Sequence, residues 1–442
     1  MAVSLSDSFT YKKLLKFTIP SICMMVFTSL YGVVDGFFVS NFVGEVAFTS
    51  VNFIMPFLMI LGAVGFMFGA GGTALVAKTL GEGNQREANR LFSLFVYVPF
   101  VLGIFIAVLG FLVVEPLASV LGATGEMLDN CVLYGKIISC GLPFYMLQME
   151  FQSFMITAER PQLSFLFTVC AGVNNIVLDA LFVAVFKWGL VGAAVATILS
   201  QFLGFLLPLI FFSRKNSSRL RLGKTSIKIK PILLACVNGS SELMSNISMS
   251  LVGMLYNTQL LKYAGEYGVA AYGVLMYVNF VFISAFIGYS IGSAPIFGYN
   301  YGAKNNTELK KVLKKSLVII LCASVGMFLL SKLISTPLSQ IFVGYNKELL
   351  ELTKRAFSFY SFSFLFSGFS IFGSSFFTAL SNGPISAIIS FMRTLIFQVC
   401  AVLILPLIFD IDGIWLSIVI AEVLAVVVTF TFIIAKRKKY NY

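Results

Sequence analysis

GGTALVAKTLGEGNQRE (residues 71–87) and GSAPIFGYNYGAKNNTE (residues 292–308) are separated by half the length of a 442-residue chain. Each runs from small and apolar residues through a Gly into a polar stretch that closes on Glu. That is how a helix end, a short turn and the start of a second helix read. At the same half-chain shift Gly44 pairs with Gly265, Gly81 with Gly302, Glu87 with Glu308, Thr157 with Thr378 and Gly192 with Gly413. Raw identity at this shift does not exceed chance. The weight comes from each pair falling at the same place in the order of hydrophobic segments.

Those segments dominate the chain, which is 58% apolar and 11% charged, against roughly 45–50% and 25% for soluble domains. Hydropathy predicts helices near 16–39, 51–77, 92–114, 131–156, 162–186, 190–212, 232–259, 269–298, 313–334, 353–379, 385–409 and 412–435, each long enough to cross a bilayer core of about 30 Å. The fold class is therefore all-α integral membrane, with twelve transmembrane helices in two six-helix repeats. Six helices return the chain to its starting side, so the repeats are parallel and related by an axis along the membrane normal. The expected units are an N-terminal lobe (1–213), a basic linker (214–230) and a C-terminal lobe with a basic tail (231–442).

The charge of +12 follows topology rather than nucleic acid, since no soluble module groups the bases with aromatics. Of 31 Lys and Arg residues, 23 fall at the termini and in alternate loops, so both termini are expected in the cytoplasm of a bacterial inner membrane. The linker holds seven bases and no acid, which suits an anionic lipid surface. Lys12, Lys13 and Lys16 lead straight into the first apolar run, which reads as helix one and not as a signal peptide. The seven cysteines are scattered without metal-type spacing.

A charge at membrane depth costs about 2.5–3.5 kcal/mol on insertion scales, so each one is a candidate for function. The set is Asp35, Glu150, Asp179, Glu242, Arg393 and Glu422. Asp35 and Asp179 each lie nineteen residues beyond a flanking base, Lys16 and Arg160, which places them at one depth given a rise of about 1.5 Å per residue. Asn175 is one turn from Asp179, and Thr197 enters the membrane to a similar depth ten residues after Lys187. The four can converge from helices one, five and six, offering hard oxygen ligands to sodium or carboxylates to a proton. Glu150, between Gln148 and Gln152, suits a cavity for a cationic substrate or an internal polar network. Glu242, in NGSSELMSN, is expected to favour the N-terminus of helix seven. Arg393 and Glu422 can meet inside the second half.

Laid out in this way, residues 12–435 resemble the multidrug and toxic compound extrusion (MATE) family. The resemblance rests on YGVVDGFFVSNFVG (31–44), on NNIVLDALFV (174–183) with GAAVATILSQ (192–201), and on PIFGYNYGAKN (295–305). It implies a two-lobed secondary antiporter that exports amphipathic, often cationic drugs in exchange for sodium or protons. It also implies a coupling site at the positions of Asp35, Asn175, Asp179 and Thr197. Other branches carry an acid in the middle of helix seven, whereas Met249 to Leu255 here holds none and Ser240 and Ser241 replace the usual proline. A second-lobe cation site is therefore not carried over. No cofactor is expected beyond the coupling ion, and the partners are a small organic molecule and the bilayer, with a monomer as the working unit. A lipid-linked saccharide flippase would need a basic cavity, and intramembrane bases are nearly absent. A membrane enzyme would lack the commonest general base, since the chain has no His.

Overall fold

The computed structural model describes residues 3–442, apart from the side chains of Val33 and Glu45. Twelve helical spans account for most of the described residues. The first six are α1 (Tyr11–Val43), α2 (Glu45–Gly81), α3 (Gln85–Val120), α4 (Gly125–Thr157), α5 (Pro161–Val185) and α6 (Gly189–Ser213). After the linker come α7 (229–264) and α8 (266–302), two halves of one helical run bent at Gly265. They are followed by α9 (Asn306–Val343), α10 (Lys347–Ala379), α11 (Gly383–Ile404) and α12 (Pro406–Tyr440). Every span is a helix because nothing in hydrocarbon can pair with a free backbone amide or carbonyl.

One boundary differs from the sequence reading. No loop separates α7 from α8, because Gly265 (φ 60°, ψ −153°) reverses the chain within a single residue. The regular helix of α11 ends at Ile404, and the chain breaks at Asp410 (φ 49°), between the expected helices 385–409 and 412–435. The repeat is written into the backbone: the left-handed positions Gly44, Gly83 and Gly189 recur half a chain later as Gly265, Lys304 and Asp410. Its caps recur too, with Asn84 accepting from the Glu87 amide (3.1 Å) and Asn305 from the Glu308 amide (3.2 Å).

The two sets of six helices meet in the half of the molecule that carries the termini. A methyl group on Gly71 would strike the backbone of Ala235 and Gly239, and one on Gly239 the backbone of Met67. Gly81 lies against Tyr299, and Gly302 against Lys78. Small residues of this kind let helix backbones close together where lipid removes any hydrophobic drive between helices.

Two straps reinforce this end. The N-terminal segment buries Leu5 and Phe9 and crosses from the α4–α5 turn to α9. Glu159 accepts from Ser4 and the Leu5 amide (both 2.8 Å), and Glu308 accepts from the Phe9 amide (2.7 Å). The linker leading into α7 sets Lys228 on Glu87 (2.9 Å) and Arg219 on Glu159 (3.0 Å), with the Arg219 guanidinium over the Tyr299 ring. Glu87 and Glu308 are repeat-equivalent, so each first helix is tied on entry to the third helix of the other lobe.

These contacts separate glycines that fill a space from glycines that do not. Gly239→Val is expected to lower the thermal midpoint of the purified protein sharply, an overpacking cost of about 1–3 kcal/mol or more. Gly326→Ala, whose Cβ would meet nothing within 4 Å, is expected to leave the midpoint unchanged or slightly raised. Equal midpoints for the two variants in a thermal shift assay would contradict this packing.

Candidate functional site

A cavity of about 280 Å³ lies inside the first six helices. Asp35, Asn175 and Thr197 line it together with Gln148, Gln152 and Gln201, against a wall that includes Met25, Met55, Met59, Tyr31, Tyr134 and Tyr145. Asp179 is wholly buried beside Asp35. The helices are shaped to bring these groups in. Both α1 and α5 end in π-helical turns, Val39–Val43 and Ala180–Val185, which begin four residues after Asp35 and directly after Asp179. Such turns shift the side-chain register locally and often occur at functional sites. Gly172 on α5 accepts the rings of Phe27 and Tyr31, so α1 and α5 approach closely, and Gly204 on α6 leaves room for the Gln148 amide.

The polar groups here lack partners. Among the described residues, Asp35 Oδ1, both Asp179 oxygens, Asn175 Nδ2, Gln148 Oε1 and Gln201 Oε1 are buried without a hydrogen bond. Buried polar atoms are normally paired, so such a concentration marks a place where a ligand or proton completes the set. The donor chemistry fits a small hard cation, with two carboxylates, an amide and a hydroxyl available. Thr197 Oγ1 donates to the Ala193 carbonyl (3.0 Å), which leaves its lone pairs free to accept.

Among the residues singled out in α4, Gln148 and Gln152 reach the cavity, whereas Glu150 is wholly buried outside it. Its helix faces Gly69 of α2 at that level, and neither Glu150 oxygen has a hydrogen-bond partner among the described residues. Sequence reasoning missed Tyr134 and Gln201. Tyr134 lines the cavity with Asp35 and Thr197, and nothing in its local sequence separates it from the chain's other tyrosines.

The last six helices hold a second cavity of about 300 Å³ with different chemistry. Arg393 and Glu422 do meet, with Nη2 at 2.8 Å and Nε at 3.0 Å from the carboxylate, to which Ser370 also donates (3.0 Å). Arg393 projects from a π-helical turn, Met392–Ile396. Ser363, Ser367, Ser370 and Ser374 form one stripe down α10 facing the cavity. Ser374 bonds Ser386 (2.8 Å) and Ser390 (2.7 Å). The stripe was visible in the sequence as hydroxyls at helical spacing. Glu242 requires a correction: α7 begins at Ile229, so this carboxylate lies more than three turns inside the helix and caps nothing. It lines the second cavity and also a small space where both lobes meet.

The sequence profile of the MatE family matches the chain twice, at residues 20–181 and 243–404. The starts of the two matches are offset by close to half the chain, in step with the internal repeat. Multidrug export protein MepA of Staphylococcus haemolyticus is 27% identical over 316 residues, 71% of this chain and 69% of that protein. A crystal structure of a MATE protein in complex with MaL6 superposes with a TM-score of 0.93 at 21% identity, covering 98% of both chains. The outward-facing conformation of a multidrug resistance MATE transporter of the MOP superfamily gives 0.92 at 21% identity, covering 98% of this chain and 97% of that one.

The buried Arg393–Glu422 pair has a measurable signature. Arg393→Gln leaves Glu422 charged and unpaired, so it is expected to destabilise the protein by about 3–5 kcal/mol. Adding Glu422→Gln is expected to restore most of the thermal midpoint. A double variant no more stable than the single one would show that the two side chains act independently.

Proposed function

This chain belongs to the MatE family, and we propose that it is a secondary active antiporter exporting amphipathic, often cationic organic compounds in exchange for inward sodium or protons. It is a multi-pass membrane transporter, not an enzyme. The multidrug export function carried in the names of its relatives supports the substrate class. The observation that carries the coupling role is the convergence of unpartnered groups around Asp35, Asn175, Asp179 and Thr197.

In this reading residues 1–213 and 231–442 are the moving lobes, 214–230 is the basic linker between them, and the monomer is the working unit. The termini face the cytoplasm of a bacterial inner membrane, as the distribution of bases suggests. The closed end described above is then cytoplasmic, and both cavities lie toward the outside. Sodium or a proton entering from outside binds between Asp35 and Asp179 and relieves the repulsion of two buried carboxylates. A ligand shifts a conformational equilibrium only by its different affinity for the two states. Neutralising the acid pair supplies such a difference, because it removes the repulsion between the carboxylates of α1 and α5.

Substrate recognition needs little directional bonding. Met25, Met55, Met59 and Met149 line the first cavity with Tyr31 and Tyr145, and flexible, polarisable thioethers adapt to varied ring systems. Opening the cytoplasmic end requires both straps to yield, at Glu308 and at Glu87.

The test is drug efflux from proteoliposomes with sodium and proton gradients imposed separately. One gradient is expected to drive efflux, and Asp35→Asn is expected to reduce it to the passive leak while the protein keeps its thermal midpoint. Gradient-driven efflux that survives Asp35→Asn would overturn the coupling role.

A further inference from the structure

We propose that the second-lobe cavity is a recognition site for zwitterionic amphipathic substrates, with Arg393 facing the substrate's carboxylate and Glu242 its cationic group. This inference rests on the exporter reading above and adds a substrate class to it.

The charges set up the case. Arg393, Glu422 and Glu242 are the charged residues that line this cavity. Glu422 is saturated by the guanidinium and by Ser370, so it offers an incoming cation little. Arg393 is not saturated. A guanidinium carries five N–H donors in a fixed fork. Glu422 engages Nε and Nη2, and among the described residues nothing accepts from Nη1. With about 15% of its side chain exposed, the group keeps a face toward the cavity.

Glu242 is the complementary half. Among the described residues no Lys or Arg lies within ion-pair distance of it and no side chain donates a hydrogen bond to it. Arg393 acts on it through space from beyond ion-pair distance. The cavity therefore presents a cationic fork and a free carboxylate within one space of about 300 Å³, the lower end of the range for small-molecule pockets.

The remaining lining suits a flat organic body between two charges. Tyr272, Tyr360 and Phe280 supply aromatic rings to the lining, and Met249 and Met276 supply thioethers. Ring faces attract delocalised cations. Serine hydroxyls on α10 donate to backbone carbonyls one turn earlier, so their lone pairs remain available to polar substituents. The first cavity differs in kind, since among the described residues Asp35 is the only charged one lining it and no base does. A cation without a carboxylate can use either cavity, whereas a zwitterion finds its anionic partner only in the second.

Rhodamine 110 and its methyl ester, rhodamine 123, separate these requirements. They share one cationic ring system and differ in whether the carboxylate is free. Binding of each to the purified full-length protein is followed by fluorescence anisotropy. The charge-balanced variant Arg393→Gln with Glu422→Gln is expected to weaken rhodamine 110 by about tenfold, the scale of one charge-assisted hydrogen bond. Rhodamine 123 is expected to change by less than about twofold in the same variant. Arg393→Lys keeps a charge against Glu422 and removes the spare fork, so it is expected to show the same selective loss. Glu242→Gln is expected to weaken both dyes alike.

Equal effects of the Arg393 variants on the two dyes, no effect on either, or failure of the wild type to bind rhodamine 110 would each overturn the proposal. Gradient-driven efflux of rhodamine 123 from vesicles is read in parallel. Its absence strikes the exporter reading, while its presence without dye discrimination strikes the zwitterion site alone.

Discussion

The crossing of α2 and α8 at Gly81 and Gly302 is the contact on which the arrangement of the two lobes depends. Gly81 lies on the backbone of Tyr299 and Gly302 on that of Lys78, and Lys78 and Tyr299 are themselves equivalent under the half-chain repeat. The contact is thus self-complementary, as an interface between identical subunits would be under a two-fold axis. Only residues without a side chain allow both approaches at once. Together with the approach of Gly71 and Gly239 further along α2 and α7, this close backbone packing holds the lobes together. The straps follow the same symmetry. Because all these contacts lie at the end that carries the termini, the cavities lie toward the other end.

Around this shared frame the two lobes have parted chemically. The position of Asp35 is taken in the second half by Tyr256, whose hydroxyl bonds Ser417 (2.7 Å) and whose ring stacks on Tyr272. Thr197 corresponds to Ile418, and Gln201, with its unpartnered oxygen, corresponds to Glu422, which is fully engaged. The first lobe therefore keeps polar groups in want of partners, and the second has satisfied most of its own.

Much of this was legible in the sequence because membrane helices announce themselves by apolar length and the repeat by its punctuation. Gly44, Gly81 and Gly192 pair with their counterparts where backbone geometry or close approach leaves little choice of residue, so they survive in a chain whose apolar residues interchange freely. Asp35, Asn175 and Asp179 were legible because charge at membrane depth is costly and rare. What escaped was of two kinds. Helix ends escaped because α7 and α8 need no polar loop once Gly265 makes the turn, and Glu242 was read as favouring the start of α7 although even the expected start at 232 puts it well inside the helix. Tyr134 and Gln201 escaped because their importance comes from which helices pack together. Tyrosine and glutamine in a membrane helix cost too little to stand out, and only the approach of α4 and α6 to α1 sets them beside the acids.

The division between the lobes gives the two cavities different responses to an arriving charge. In the proposed mechanism the first lobe changes energy most when an ion or proton arrives, since Asp179 has no hydrogen-bond partner of its own among the described residues. The second lobe changes little, because the charge of Glu422 is already balanced by Arg393 at 2.8 Å. The Arg393–Glu422 pair is neutral at rest, which leaves Glu242 as the carboxylate of this cavity without an ion pair among the described residues. The Asp35–Asp179 pair of the first lobe has no base beside it among the described residues, and this is the basis of the coupling role proposed for that lobe. Glu242 lies where the two meet, lining both the second cavity and the space between the lobes. A cation held there would touch the surface along which the lobes must move, so substrate release and the closing of that surface would be a single event.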